Sequence, residues 1–396
     1  MIENIASKNR IELQIDTSYH NKLDISGFAQ MMKNPSYCYK FYWLEAIVQL
    51  VSRDITETTF DEIINEMICN AWYSVREFHI HLSGIQGNEV RDGLERAVLK
   101  LSELSQLAAN DSKVEILNAI NKYDKELKEY KEQLTNMVPY RALAGFFSKA
   151  ETPEWDSIRR MTAYIEKVNR EVVILPYTIG ESAKLKKEVH INPEWAEMIR
   201  DNTVAILGWI QYEKVKWLQN NNPEVPGLVY KLAPMDDKMR KLNKVRKLWE
   251  GILELCEVHD VFTGNEVIKG NYDVDHFIPW SFVMNDELWN LMPMDSSLNS
   301  SKSNKLPKWD PFFKNFAKNQ YLMYNLMHEK AGIYKLFEGC YRDNLHSIWA
   351  GQELYRKGNT QDEFYNILAK NMQPVYDSAR RQGYEIWNEN ITKIVI

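Results

Sequence analysis

Apolar positions in the first 220 residues recur mainly at helical spacing. Residues 37–52 (YCYKFYWLEAIVQLVS) are apolar on nearly every side and predict a buried helix. Residues 60–83 continue in a helical or mixed pattern. Val114, Leu117, Ile120, Leu127, Tyr130 and Leu134 follow a helical period with Lys and Glu between them. Asp111 and Ser112 ahead of Glu115 form a capping box, so one long amphipathic helix is predicted, ending near Pro139. Residues 155–169 predict another helix, and 171–177 (EVVILPY) a short buried strand. Asn192-Pro193 reads as an N-cap with Pro at the first helical position, opening a helix to about Leu218. Asn, Pro and Gly then cluster at 220–227 (NNNPEVPG) and mark a boundary.

Beyond it, residues 236–254 predict a helix. Met239, Leu242, Val245, Leu248, Trp249 and Leu253 form its apolar side. Lys238, Arg240, Lys241, Lys244, Arg246 and Lys247 surround the rest, as a solvated face or a phosphate-contacting one. Gly264-Asn265 and Gly270-Asn271 are turn signals flanking 266–269, and 272–278 is a second short apolar run stopped by Pro279. The pair predicts a β-hairpin. Asp295, Ser296 and Ser297 are N-cap types before a short helix carrying Asn299, Lys302 and Ser303, closed by Pro307. The last 75 or so residues read as helices, with Leu322, Leu326, Ile333, Leu336 and Phe337 in period and a new turn or helix start at Pro374. The expected fold is mainly α-helical with a small ββα unit at about 256–307. Three regions are expected: 1–227, 228–319 and 320–396, the last packing on a ββα unit too small to bury much core alone.

Composition changes this picture little. The chain has 396 residues, 44% hydrophobic and 26% charged, with 12 Trp and 21 Tyr for large cores. Its net charge of −6 argues against a surface coated for general polyanion binding. Residues 229–319, however, carry equal numbers of acidic and basic side chains, so the acidic surplus lies elsewhere. The four cysteines (Cys38, Cys69, Cys256, Cys340) form no CxxC, so no structural zinc is expected and free thiols are. The opening residues MIENIASKNR hold no apolar signal region, and no run is long enough to span a bilayer. A cytoplasmic protein without a membrane partner is expected.

The segment 262–307 carries the chemistry. It contains Asp275-His276, Pro279, Asn290, Asn299, Lys302 and Pro307 in that order. This set resembles the ββα-metal (HNH) nuclease motif in a variant with Asn at the third position. Its spacing, and the phrase DVDH…P…SF, are similar to the HNH domain of RNA-guided type II CRISPR effector nucleases. The resemblance implies that His276 is the general base, that Asp275 and Asn299 hold one metal, and that Asn290 braces the loop orienting His276. It implies cleavage of DNA to 5′-phosphate and 3′-hydroxyl ends. Chains of this layout also resemble restriction and phage-defence nucleases. A homodimer or a protein partner of a defence system is the expected assembly. Alternatives are a partner-regulated effector whose nuclease stays silent until activated, and a nuclease acting on RNA.

The residues suit that chemistry. A neutral His takes a proton near pH 7, and a carboxylate with an amide oxygen suits Mg²⁺ or Mn²⁺. Asn299, Lys302 and Ser303 would share one helix face, with an anion favoured at the helix N-terminus. Lys302 is then a phosphate contact or an ordinary surface charge. Asp273 shares the strand face of Asp275 as an accessory acid. Asp275 and His276, being adjacent, serve one site only where the strand ends or twists. His79 and His81 with Glu77 form a weak metal pattern, expected to be packing. Cys256 reads as core and His259 as surface or second-layer. Lys308, Lys314 and Lys318 among Trp309, Phe312, Phe313 and Phe316 read equally as a nucleic-acid face or a core helix.

Overall fold

The computed structural model describes residues 13–33, 35, 37–84, 92–136, 138–147, 157–170, 174–233 and 240–387. Among the described residues 63% are helical and the sheets are small. It divides into two compact units: Met1–Pro223 with Leu228–Pro234, and Glu224–Gly227 with Met235–Ile396. Among the described residues no helix is long and apolar enough to cross a membrane.

The first unit contains α1 (Ile25–Gln30), α2 (Tyr39–Val51), β1 (Glu57–Thr59), α3 (Phe60–Phe78) and α4 (Gly93–Leu104). It continues with α5 (Lys113–Lys122), α6 (Asp124–Leu134), α7 (Val138–Arg141), α8 (Ile158–Arg170), β2 (Tyr177–Ile179), β3 (Glu188–Ile191), α9 (Pro193–Asp201) and α10 (Thr203–Asn221). The all-round apolar α2 is buried from Phe41 to Ala46 and beyond, as its pattern predicts. Strand β3 lies between β1 and β2, antiparallel to both. Capping boxes at Thr59–Glu62 and Ser112–Glu115 start α3 and α5.

The long helix expected over 114–134 is instead two. Tyr123, at φ −108° and ψ 26°, interrupts it between α5 and α6, and Val114 is exposed. The helix expected to run from Asn192 to Leu218 also breaks, at Asn202 (φ −117°, ψ 18°). In the expected strand 171–177, residues 171–173 lie outside the described residues, and β2 begins at Tyr177.

The second unit contains α11 (Asn243–Leu253), β4 (Asp273–His276), α12 (Trp280–Val283), β5 (Leu291–Met294), α13 (Ser296–Lys302), α14 (Trp309–Glu329), α15 (Ala331–Asn344) and α16 (Gln361–Arg381). Residues 236–239 of the helix expected over 236–254 lie outside the described residues. The hairpin expected between 266–269 and 272–278 does not form. Strand β4 pairs with β5 in antiparallel register, and 266–269 contributes only the isolated bridge Glu266–His259. Pro293 concealed β5, since proline within an apolar run argues against a strand. In a two-stranded ribbon each strand keeps a free edge, so its missing N–H is harmless.

One core runs from Val245 on α11 through Phe277, Met292 and Phe316 to Trp387. Phe277 packs against Phe316 at 4.8 Å and edge-on to Trp309 at 5.9 Å. Trp309 stacks on Phe313 at 4.2 Å, so the aromatic side chains of the basic–aromatic stretch are largely used in packing. After α16 the chain returns beside the end of α13. Leu306 N–H donates to Glu385 O at 2.9 Å and Trp387 N–H to Leu306 O at 2.7 Å. The Trp387 indole donates to Ser301 Oγ at 3.3 Å. Pro374, read as a break, lies inside α16. Its ring frees the carbonyl of Lys370 on an exposed face, where water can bond it.

Candidate active site

Four residues of β4 set the site. Strand alternation places Asp273 and Asp275 on a half-buried face and Val274 and His276 on the buried one. Val274, Leu291, Met292 and Met294 are buried on the ribbon and anchor it in the core. Beyond His276 the ladder is continued by a side chain. The carboxamide of Asn290 accepts from Ile278 N–H and donates to Ile278 O, both at 2.8 Å. The N–H of Phe277 donates to Asn290 O at 2.8 Å. Asn290 is wholly buried, so it holds the chain leaving His276 in place.

The acidic face meets α13. Lys302 Nζ donates to Asp275 Oδ2 and to His276 O, both at 2.8 Å. Lys302 is 0% exposed, so it is neither a surface charge nor a solvent-facing phosphate contact. Asn299 donates to Asp273 Oδ2 at 3.2 Å. Ser303 has φ 46° and leaves the helix, so only Asn299 and Lys302 share the expected face. Two of the N-terminal amides of α13 are already bonded within the chain. Asp295 accepts from Ser297 N–H at 2.9 Å and Leu298 N–H at 3.2 Å. The Ser297 hydroxyl, then those amides, hold the Asp295 carboxyl below its ordinary range.

His276 turns the other way. Its ring is 1% exposed, with Nε2 3.2 Å from Asn285 O and 3.0 Å from Asp286 Oδ1. The structure thus makes two pairs on the acidic face, Asp275 with Lys302 and Asp273 with Asn299, and seats His276 on the opposite one. The strand ends at His276, and the Lys302 ammonium spans from the Asp275 carboxylate to the His276 carbonyl.

Residues 260–308 match the family model for HNH endonuclease. They form an HNH endonuclease domain. No curated protein and no solved structure matches the chain. The HNH match lies wholly in the second unit and implies nuclease activity on nucleic acid.

HNH nucleases generally use a divalent metal. Among the described residues no group of three or more His, Cys, Asp or Glu is arranged to hold one. Strand β4 and helix α13 nevertheless offer hard oxygens: Asp273, Asp275 and the amide oxygen of Asn299. Lys302 takes one Asp275 oxygen, and Asn299 meets Asp273 through its nitrogen. That donor set fits a cation that keeps several waters and few protein ligands.

Three neighbours of the HNH site were not placed there by the sequence, Asp260 and Asp286 carrying no signal and Arg246 only that of a basic helix face. Asp260, buried, accepts from Phe262 N–H, Thr263 N–H and Asp295 N–H at 2.8–3.0 Å, tying the first turn to the start of α13. Arg246 lies 3.7 Å from Asp273, fixed by Tyr272 O at 2.7 Å. Asp286 flanks His276. Elsewhere, His81 Nδ1 bonds Glu95 Oε1 at 2.7 Å, and His79 caps α3 in the left-handed region, so the HxH pair builds no metal site. Cys256 packs against the core, and His259 is exposed.

Proposed function

We propose that the HNH unit hydrolyses DNA phosphodiester bonds, with His276 as general base. The observation that carries this reading is the β4–α13 pairing, which brings the motif side chains Asp273, Asp275, Asn299 and Lys302 together; the His276 imidazole lies on the opposite face of β4 and is tied to them through its backbone carbonyl on Lys302. Asp275 and Asn299 would hold a divalent cation, Mg²⁺ or Mn²⁺, which when bound would supply positive charge at the scissile phosphate and the departing oxygen. His276 takes a proton from water as the water oxygen bonds to phosphorus. The bond to the 3′ oxygen breaks and that oxygen takes a proton from solvent water, leaving 5′-phosphate and 3′-hydroxyl ends. Lys302 offsets the charge of Asp275, and Asn290 holds the His276 backbone. Asp273 keeps Asn299 in place and is an accessory acid. The resemblance in motif spacing supports a role in restriction or anti-phage defence, with a homodimer or protein partner completing double-strand cleavage.

Supercoiled plasmid with purified protein and Mg²⁺ tests this reading. Nicking by the wild type, abolished in a folded His276→Ala variant, is expected. Equal rates in the two proteins, or no wild-type cleavage of any DNA, would overturn it. The same incubation with RNA separates a ribonuclease. The 1% exposure of His276 favours a second reading, in which the nuclease stays closed until a partner opens it. Cleavage only after partner addition distinguishes that case.

A further inference from the structure

Asp286 follows β4 by ten residues yet returns to its last side chain. Its carboxylate is buried. Oδ2 accepts from Lys241 N–H at 2.5 Å, while Oδ1 makes no hydrogen bond. The orphaned Oδ1 lies 3.0 Å from His276 Nε2. The backbone is held as well. Asn344 Nδ2 donates to Asp286 O at 2.8 Å and to Lys241 O at 3.0 Å, joining the end of α15 to both segments. A buried carboxylate oxygen without a donor is costly unless positive charge arises beside it.

The other group at Nε2 is the carbonyl of Asn285, 3.2 Å away. Both neighbours of Nε2 are acceptors, so Nε2 carries the hydrogen and Nδ1 presents the lone pair. We propose that Asp286 is a positioning residue for His276. Asn285 O, the hydrogen-bond partner of Nε2, holds the Nε2–H form, and the Asp286 charge 3.0 Å from Nε2 reinforces it and stabilises the imidazolium that appears when Nδ1 takes a proton from water. The proposal rests on His276 being the base, as argued above. The contacts of Asp286 are to His276, Lys241 and Asn344, so it acts through the ring.

Three measurements decide it. The first is the tautomer of His276 in the wild-type protein, read from the imidazole ¹⁵N shifts. The Nε2–H form is expected, and the Nδ1–H form would overturn the proposal whatever the variants do. The second is Asp286→Asn, which keeps the shape and an oxygen for Lys241 N–H. Its kcat for plasmid nicking should fall by roughly a hundredfold or more. KM should change less than about twofold, with an unchanged unfolding transition, because substrate contacts are untouched. A kcat within about threefold of wild type in folded Asp286→Asn counts against the role. The third is His276→Ala. If it still nicks at the wild-type rate, the base reading fails. If it is inactive while Asp286→Asn is fully active, only the Asp286 proposal fails.

Discussion

In the first unit, fully buried Lys131 meets Asp61 at 2.5 Å and Asp124 at 2.7 Å. Lys214 reaches Glu45 at 2.8 Å, and Gln211 joins the same carboxylate. These are bonds between side chains on helices. In the second unit, buried polar side chains grip the main chain. Asn290 holds Ile278, Lys302 holds His276 O, and Gln320 donates to Leu288 O and Leu291 O. Asn344 and Asp260 do the same in neighbouring loops. The difference follows from local structure. Helices satisfy their own interior backbone, so Lys131 and Lys214 pair with carboxylates; where the first unit leaves its helices, Glu95 and Asn222 also bond the main chain, at Leu82 N–H and His81 O. The HNH segment has two four-residue strands and much irregular chain, whose buried N–H and C=O groups need partners from elsewhere. Side chains replace the ladder that longer strands would provide.

The contrast can be broken by substitution. Asn290→Ala should have the largest effect, leaving both polar groups of Ile278 buried and unpaired. A loss of roughly 2–5 kcal/mol of stability, with loss of nicking, is expected in denaturant melts and plasmid assays. Lys302→Met should cost roughly 2–4 kcal/mol, because Asp275 and the His276 carbonyl lose their donor together. Stability equal to wild type in either variant would show that the side chains do not replace a ladder.

Acid should separate the units next. Burial, then the charges of Arg76 and His81, lower His79 from 6.5 to about 4. Between those values the unfolded chain binds a proton that the folded one does not. His79 therefore contributes stability above pH 6.5 that is lost as pH falls towards 4. His79→Asn suits the left-handed backbone there, and should flatten the acid decline by about 1–3 kcal/mol in pH-dependent melts. An unchanged decline would show that His79 is not its source. The smallest effect is expected for Lys131→Met. Asp124 keeps access to water, and only the buried Oδ1 of Asp61 loses its partner, so the change should cost about 1–2 kcal/mol. A loss as large as that of Lys302→Met would erase the difference between the units.

What the sequence made legible was local. The apolar run of α2, the cap of α9 and the ordered motif residues all lie in short windows. The breaks at Tyr123 and Asn202 carry no Gly or Pro, and the weak helix formers Asp201, Asn202 and Thr203 are a cue that the apolar period outweighs. Strand β5 was hidden by Pro293, and its partner β4 was assigned to a neighbour closer in sequence. At the site, a buried lysine and an exposed one look alike in a sequence, which left Lys302 open. Asp286 was silent because its role depends on a loop folding back, and no periodicity encodes that.

The return of the chain beside Leu306 bears on how such a nuclease can be inherited. The family match ends at residue 308, yet Leu306 pairs with Glu385 and Trp387, and Tyr376 donates to Pro307 O at 2.8 Å. A recombination event that carried only the matched segment would leave these partners behind. The portable cassette therefore extends to Trp387, and the helices between are part of the cargo rather than a passenger domain.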